Sequence, residues 1–297
     1  MSNNAYITLM STNNYLYGCI GLMYSWKNTN PKYPFYCVVT KDITAENIKI
    51  LEAIGYKVIV DDLYIPKSYY ETLQKYEDSD EIPTGASTAD LTKNGWQYGW
   101  TKLRIFSYTQ FDKLLYIDAD SYIVQNLDDM FDRPGWSSIC QYDTTWTGLK
   151  LFHSAFFLIE PDKDVYEELL QLAEDNPLIV HPVTGKPQLS NDYDLLNLYK
   201  SDWKDHPELT VPMYTYVDSY TLRVTNYFLP FVFNALGKTK AIHLTGPKPW
   251  LNGTEEVQSY CGEWSLWKEL YLLYILFLNR ALEDICYNGI AQLPLVK

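Results

Sequence analysis

The sequence predicts an α/β fold built on a mostly parallel central sheet, and three observations carry that prediction. Apolar stretches of strand length alternate with stretches of helical spacing over the first hundred residues. The run Leu114–Ile117 is apolar throughout apart from its tyrosine hydroxyl, as in a strand buried on both faces of a parallel sheet. The 297 residues are 47% hydrophobic and 21% charged, an ordinary globular balance. This length suits one large α/β domain or two small ones.

The amino-terminal part of the chain alternates strand and helix signals. In order, the predicted elements are a strand at Tyr6–Met10, a helix at 13–26, a strand at Phe35–Val39, a helix from Ala45 and a strand at Tyr56–Val60. Thr44 is a typical N-cap for the second helix, and Gly55 is a typical residue to end it. Strands that alternate with helices in this way indicate a parallel, doubly wound, Rossmann-like sheet.

The acidic segment Tyr76–Gly95 interrupts this alternation as a long loop, which is either a lid or a plain surface insertion. The later predicted elements are a helix at 101–106, the strand that ends at Asp118, a strand at 155–159, a helix at 165–173, a loop at 177–187, a helix at 192–199, a strand at 240–244 and a helix at 264–284. No linker clearly divides the chain. We therefore expect one domain over residues 1–255, with a C-terminal helical extension, residues 256–297, packed on it.

Charge, cysteine content and hydropathy exclude several classes of protein. A net charge of -13 argues against a general affinity for nucleic acid or for an anionic membrane. The five cysteines are scattered without metal-type spacing, so we expect buried free thiols in a reducing compartment. The amino terminus lacks a signal-peptide pattern, and the longest apolar run, Leu270–Leu278, is about half of a membrane span. We expect a soluble, cytoplasmic protein with no membrane segment.

The strand at residues 114–117 runs directly into Asp118 and Asp120, which a single residue separates. Strand geometry would send both side chains to the same side. Ligands of open α/β sheets bind at this carboxyl edge, and two aspartates there can hold a hard divalent cation. Taken alone, such an Asp-x-Asp motif is more often a strand followed by an acidic turn. The rest of the sequence has to decide between the two interpretations.

His243 and two lysines favour the metal interpretation. A lone histidine is more often structural, but His243 ends a predicted strand and precedes a Gly-Pro-Lys-Pro-Trp turn. In that turn Gly246 permits close backbone approach to a ligand, and Lys248 supplies positive charge. Lys102 could add a second positive charge. A set of two aspartates and a histidine with open positions suits Mn²⁺ or Mg²⁺ bridging a diphosphate, which predicts group transfer from a nucleoside diphosphate.

Six short blocks between residues 5 and 250 carry a more specific signal in their residues and their order. They are Tyr6-Ile7-Thr8-Leu9 with Tyr15 and Gly18, Thr101–Arg104, Tyr116–Asp120, Phe152–Phe156 with Pro161, Asn191-Asp192 with Leu195–Asn197, and His243–Trp250. Together they resemble glycosyltransferase family 8, and within that family the glycogenins. The combination is far more specific than any one motif, so the metal interpretation overtakes the acidic turn.

The resemblance implies a GT-A fold and retaining transfer of a hexose from a UDP-sugar, with Mn²⁺ as the cofactor and Mg²⁺ as a substitute. It implies that Asp118, Asp120 and His243 are the metal ligands. The other implied donor-site residues are Leu9, Ser11 and Tyr15 at the uridine, the Ala119 backbone at the ribose, Lys102, Gly246 and Lys248 at the phosphates and sugar, and His153, Ser154, Asn191 and Asp192 at the sugar.

Asp192 is the residue that we expect to orient the donor and to stabilise positive charge at the anomeric carbon, with Lys102 beside the diphosphate. Whether Asp192 is a nucleophile or only a positioning group stays open. Two departures from the family pattern border the sugar pocket: Tyr193 stands where glutamine is usual, and His153-Ser154-Ala155 stands for an Asn-Ser-Gly motif. The identity of the sugar therefore stays open, with glucose favoured.

The acceptor is a hydroxyl on a glycan or on a protein. The self-glucosylated tyrosine of glycogenin falls on Asn226 here, which leaves Tyr220 and Tyr227 as nearby tyrosines for self-glycosylation. One alternative is a galactosyl-, xylosyl- or N-acetylglucosaminyltransferase acting on an external glycan. Another is a weakly active sugar-nucleotide-binding protein. From the family we also expect a homodimer, with the aromatic C-terminal helix as core or as dimer surface.

Overall fold

The computed structural model of the protein describes residues 2–77, 96–142, 150–180, 187–218, 237–251 and 266–296. Most of the long acidic loop predicted at residues 76–95 lies outside the described residues. The same is true of Tyr220, Asn226 and Tyr227 on the acceptor side.

Twelve strands are described. They are β1 Asn4–Met10, β2 Phe35–Thr40, β3 Lys57–Asp61, β4 Lys113–Ile117, β5 Ser121–Ile123, β6 Ser137–Tyr142, β7 Lys150–Ile159, β8 Leu178–Val180, β9 Pro187–Leu189, β10 Thr210–Val211, β11 Tyr216–Asp218 and β12 Ala241–His243. Seven of them form the central sheet in the order β10-β6-β7-β4-β1-β2-β3. In this sheet β7 runs antiparallel to both of its neighbours, and the other pairs are parallel. The mostly parallel α/β sheet is confirmed.

The α-helices described are α1 Leu16–Lys27, α2 Ala45–Ala53, α3 Lys67–Glu77, α4 Lys163–Asp175, α5 Asp192–Tyr199 and α6 Leu266–Tyr287, and a long 3-10 helix spans Trp96–Ser107. Helix α2 begins and ends for the predicted reasons. The Thr44 side chain accepts a hydrogen bond from the Asn47 N–H, and Gly55 adopts a φ of 110° that favours glycine.

One predicted loop contains regular structure. Residues 178–180, expected to lie in a loop at 177–187, form strand β8, which pairs antiparallel with β9 at the end of that loop, residues 187–189. Leu178, Ile179 and Val180 are apolar and two of them are β-branched, which favours a strand, but a run of three is too short to give a periodic signal.

The core lies on both sides of the central sheet, as the apolar run in β4 predicts. Leu115 and Ile117 pack on the side that also carries α1, α2 and α6. Leu114 and Tyr116 pack on the opposite side, against the 3-10 helix, α4 and α5. Helix α6 belongs to the first side through Tyr271, Tyr274 and other buried residues, so the C-terminal helix packs on a single α/β domain. The boundary at residues 255 and 256 stays a prediction.

A second, three-stranded sheet positions the candidate site. Its order is β11-β12-β5, and β12 pairs antiparallel with β5 so that His243 lies opposite Ser121. This pairing brings the end of β12 beside the chain that leaves β4.

Two further expectations concern thiols and membrane segments. Cys19, Cys37 and Cys140 are buried free thiols and Cys286 is a partly buried one, as predicted, while Cys261 lies outside the described residues. Among the described helices, none combines the length and the apolar character that crossing a bilayer requires.

Candidate active site

Asp118 and Asp120 come together through a turn and not through strand alternation. Strand β4 ends at Ile117, and residues 118–120 turn the chain into β5, with the Ser121 N–H donating to the Asp118 carbonyl at 3.1 Å. The expected period-2 geometry is therefore wrong for this pair. The turn nevertheless aims both carboxylates at the same place, the end of β12.

Asp118, Asp120 and His243 form a compact cluster there. The His243 Nε2 atom lies 3.2 Å from Asp120 Oδ1 and 3.9 Å from Asp118 Oδ2. One ligand atom from each of the three residues lies within 4.8 Å of the others. Two carboxylates and one imidazole are oxygen and nitrogen ligands of the kind that Mn²⁺ and Mg²⁺ accept, so the residues present fit a divalent cation.

Lys248 lies against this cluster. Its Nζ atom is 2.5 Å from Asp120 Oδ2 and donates to the Leu244 carbonyl, and Gly246 turns the chain between them with a φ of 88°. Burial alone would lower the pKa of Lys248, but Asp120 raises it above the ordinary value. Burial would raise the pKa of the Asp120 carboxyl, and Lys248 and His243 hold it well below its usual range. Both groups are therefore charged at neutral pH.

Lys102, on the long 3-10 helix, connects the cluster to Asp192. Its Nζ atom lies 2.7 Å from Asp192 Oδ2, 2.9 Å from the Ser154 carbonyl oxygen and 3.3 Å from Asp118 Oδ1. Burial would lower the pKa of Lys102, but Asp118 and Asp192 raise it above its ordinary value. A charged lysine thus bridges two carboxylates in a site where water is largely excluded.

Tyr116, which the sequence interpretation did not single out, orients this part of the site. Its hydroxyl donates to Asp118 Oδ1 at 2.5 Å, and the Lys102 ammonium lies 4.9 Å from the centre of its ring. The side chain is 1% exposed. Tyr116 therefore fixes one oxygen of Asp118 and leaves the other on the side of His243.

Asp192 is the first residue of α5, and its position is set by Asn191. The Asn191 side chain accepts from the Asp194 N–H, and the Asp194 carboxylate accepts from the Asn191 N–H at 3.2 Å, which is a capping box. Asn191, expected at the donor sugar, thus caps the helix that carries Asp192. The Asn-x-x-Asp pattern in the sequence is the signal that could have shown this cap.

Gly99 is a second residue that the sequence interpretation missed. A Cβ atom placed on Gly99 would lie 2.7 Å from Asp192 Oδ1, well inside contact distance. The absence of a side chain at residue 99 therefore leaves the space that the Asp192 carboxylate occupies. No sequence signal marks this role, because the two residues are far apart in the chain.

The residues expected at the uridine lie at the same edge of the sheet. Leu9 and Ser11 are at the end of β1, which is parallel and adjacent to β4, and the Thr40 hydroxyl donates to the Ser11 carbonyl at 3.4 Å. Burial raises the pKa of Tyr15 to about 12, while nearby Lys248 lowers it. The Ala119 carbonyl packs so tightly on α1 that a Cβ at Gly18 would approach its oxygen to 2.8 Å.

His153 and Ser154 lie on β7, behind the cluster. The His153 Nδ1 atom accepts from the Ala155 N–H at 3.1 Å, which leaves the ring proton of a neutral imidazole on Nε2. The ring centres of His153 and His243 are 5.8 Å apart. Ser154 contributes the backbone carbonyl that holds Lys102. Direct contacts thus connect part of the expected donor site, namely Asp118, Asp120, His243, Lys102, Lys248, Asp192 and Ser154. The donor-binding roles of these residues and of the other expected ones stay predictions.

The fold of this chain is the GT-A fold of glycosyltransferases. It is similar to the crystal structure of the apo-form glycosyltransferase GlyE of Streptococcus pneumoniae TIGR4, with a TM-score of 0.56 and 17% sequence identity. That likeness covers 97% of this chain and 64% of the other. At this identity it concerns the fold alone, and it confirms the fold expected from the sequence.

The sequence is similar to known glycosyltransferases. Residues 6–134 match the model of glycosyl transferase family 8. The chain is 26% identical to Glycogenin-1 of Caenorhabditis elegans over 95% of its own length and 58% of the relative's. It is 25% identical to Galactinol synthase 2 of Arabidopsis thaliana, over 85% of this chain and 75% of that one. The chain is therefore similar to glycosyltransferase family 8 over its amino-terminal part and to glycogenins and galactinol synthases over most of its length, and it spans little more than half the length of the nematode glycogenin.

Proposed function

We propose that this protein is a retaining glycosyltransferase that moves a hexose from a UDP-sugar to a hydroxyl acceptor with the help of a divalent cation. Glucose is the favoured hexose and Mn²⁺ the favoured cation, with Mg²⁺ as a substitute. The observation that carries the proposal is the cluster of Asp118, Asp120 and His243, which lies at the carboxyl edge of the sheet. Two lysines lie beside it, Lys102, which is buried, and Lys248, which is partly buried.

The reaction makes two electrostatic demands. The bond between the anomeric carbon and the β-phosphate oxygen breaks, and its electron pair leaves with UDP. A bond from the acceptor oxygen forms on the same face of the sugar, and the acceptor proton passes to the leaving phosphate. Positive charge must therefore lie near the diphosphate, and negative charge near the anomeric carbon.

The residues of the site meet these demands. Asp118, Asp120 and His243 would hold the cation, which when bound neutralises charge on the diphosphate. Lys248, already beside Asp120, adds positive charge at the same place. Asp192 supplies negative charge on the sugar side. Its Oδ2 atom is paired with Lys102 at 2.7 Å, and a carboxylate held in this way is a weak nucleophile, which favours an orienting and electrostatic role.

The donor sugar and the acceptor are the finer parts of the proposal. The six blocks of sequence favour glycogenin and therefore glucose. Asn226 in place of the glycogenin tyrosine means that any self-glycosylation would use a different tyrosine. The relatives named galactinol synthases favour a second candidate, a hexosyltransferase that acts on an external acceptor. A cytoplasmic location and a homodimer stay predictions.

The test is incubation of the protein with UDP-glucose, UDP-galactose, UDP-xylose and UDP-N-acetylglucosamine, each with Mn²⁺ and each with excess chelator. Intact mass of the chain and release of UDP are measured together. A ladder of hexose additions would mean self-glycosylation, and UDP release without a ladder would mean that an external acceptor is missing. Turnover of no donor would contradict the proposal and favour a sugar-nucleotide-binding protein.

A further inference from the structure

Helix α6 packs behind the turn that carries Lys248. The Tyr271 hydroxyl donates to the Pro247 carbonyl at 2.5 Å, and Pro247 is the residue immediately before Lys248. Tyr271 is 1% exposed and Pro247 is partly buried, so this hydrogen bond is partly shielded from water. The C-terminal helix therefore contacts the donor-site turn directly, at the backbone of the residue next to the lysine.

A second contact joins the same helix to the same turn. The ring of Trp250 lies between those of Tyr15 and Tyr274, with ring centres 6.2 Å and 6.1 Å away. Two glycines of α1 clear the space for these rings. A Cβ at Gly18 would lie 3.1 Å from the Trp250 ring, and a Cβ at Gly21 would lie 2.5 Å from the Tyr274 hydroxyl oxygen. Helix α1 therefore packs closely against both the turn and α6, and a larger side chain at Gly18 or Gly21 would not fit.

The turn at residues 246–250 has few backbone N–H groups that could form hydrogen bonds within it. Pro247 and Pro249 flank Lys248, and neither has an N–H to donate. Gly246 adds backbone freedom on the amino-terminal side. A partly buried carbonyl in such a segment is stabilised by a donor from elsewhere in the chain, and Tyr271 supplies one to Pro247.

We propose that α6 supports the donor site. Its residue Tyr271 is a positioning residue, which holds the backbone next to Lys248 so that the Lys248 ammonium lies against the diphosphate of the donor. This inference rests on the proposed function and adds a role for a helix that lies beyond the residues matched by the family model. Lysine has a long, flexible side chain. Its ammonium group therefore occupies a defined position only if the backbone that carries it is fixed.

The chain offers a matched control for a purely structural role. The Tyr17 hydroxyl donates to the Pro294 carbonyl at 3.0 Å, which is the same pair of groups joining α1 to the C-terminal segment. That bond is exposed, and Tyr17 and Pro294 lie outside the turn at 246–250. Tyr271→Phe and Tyr17→Phe each delete one such hydrogen bond, and only the first touches the Lys248 turn.

The experiment measures the Kd of UDP by calorimetry in the presence of Mn²⁺, together with kcat and KM for the UDP-sugar. Tyr271→Phe should weaken UDP binding and raise KM by about tenfold with little change in kcat, while Tyr17→Phe should leave both at the wild-type value. In a Lys248→Met background, Tyr271→Phe should cause no further loss of UDP affinity. Tyr274→Leu removes the ring behind Trp250 and should shift Kd in the same direction.

Three results would overturn the inference. The first is wild-type affinity for UDP in Tyr271→Phe, whatever Tyr274→Leu shows. The second is the same loss of affinity in Tyr17→Phe, and the third is an undiminished Tyr271→Phe effect when Lys248 is already methionine. A wild-type protein that fails to bind UDP would remove the proposed function as well. Wild-type binding that Lys248→Met weakens and Tyr271→Phe does not would remove this inference alone.

Discussion

Lys102, which is buried, and Lys248, which is partly buried, each contact an aspartate of the Asp118, Asp120 and His243 cluster, but they are held differently. Lys102 contacts Asp118 and also Asp192, a carboxylate outside the cluster. The carboxylate that Lys248 contacts at 2.5 Å is Asp120, which belongs to the cluster. A cation bound by the cluster would compete with Lys248 for the carboxylate of Asp120. The ion pair between Lys102 and Asp192 would not be affected in this way, because Asp192 is not one of the three cluster residues.

This difference divides the site into two parts. In the proposed reaction Lys248 lies beside the diphosphate, where it would bind the donor and stabilise the leaving group. Lys102 donates a hydrogen bond to Asp192, and in the proposed reaction it would hold that carboxylate beside the sugar. Two residues of the same type should therefore give different kinetic signatures when each is removed.

The largest effect is expected from the cluster that both lysines contact. Asp118→Asn or Asp120→Asn should lower donor turnover by at least about 100-fold, because an amide is a poor ligand for a hard cation. Circular dichroism should show an unchanged fold. Asp129→Asn, which removes an exposed carboxylate paired with Lys240, is the control and should keep wild-type turnover. Wild-type turnover in excess chelator would contradict the metal role.

Substitution of each lysine tests whether the diphosphate part and the sugar part of the site act separately. Lys102→Met should lower kcat by about 100-fold, because it leaves Asp118 and Asp192 without their shared cation. Lys248→Met should instead act mainly on KM for the UDP-sugar, raising it by about tenfold or more. Steady-state kinetics of both variants would show the split. The same change in kcat and KM for both lysines would mean that the two parts of the site do not act separately.

A smaller effect is expected from Gly99. Gly99→Ala places a methyl group 2.7 Å from the original position of Asp192 Oδ1, so the carboxylate must move and kcat should fall by about tenfold. In an Asp192→Ala background the same substitution should cost nothing further. Gly237→Ala, where a Cβ would meet nothing within 4 Å, is the control. An equal loss of kcat in the single and double backgrounds would show that Gly99 acts through something other than Asp192.

The smallest effect concerns the free energy of unfolding and the carboxyl group of Asp194, two residues after Asp192 on the same helix. Burial raises the pKa of Asp194 from 3.8 to about 7, so the folded protein binds this proton more tightly than the unfolded chain does. Stability from this group is therefore present at low pH and is lost as pH rises towards 7. Urea unfolding at pH 5 and pH 8 should show that loss in the wild type and a smaller one in Asp194→Asn. Equal losses in the two proteins would contradict the raised pKa.

Sequence reasoning predicted those elements that carry a strong local signal. Helix α5 has the predicted limits, 192–199, and its apolar residues Leu195 and Leu196 are buried. Strand β4 was predicted from its apolar run, which the two-sided core explains. The short pair β8 and β9 was missed, because three residues give no periodicity and their pairing depends on a partner elsewhere in the chain.

Some features of the candidate site could likewise be predicted from the sequence and others could not. The types of residue that bind a cation and a diphosphate were visible in the sequence, and the structure brings Asp118, Asp120 and His243 together. The turn at 118–120, the space at Gly99 and the Tyr271 hydrogen bond were not visible. Each of these depends on distances between parts of the chain that only the packed fold sets.

The most direct test of the central claim is a calorimetric titration of the wild-type protein with UDP, with and without Mn²⁺. If Asp118, Asp120 and His243 form a metal-dependent donor site, UDP should bind at least about tenfold more tightly with Mn²⁺, and Asp120→Asn should abolish the difference. Equal affinity for UDP with and without Mn²⁺ would contradict the account.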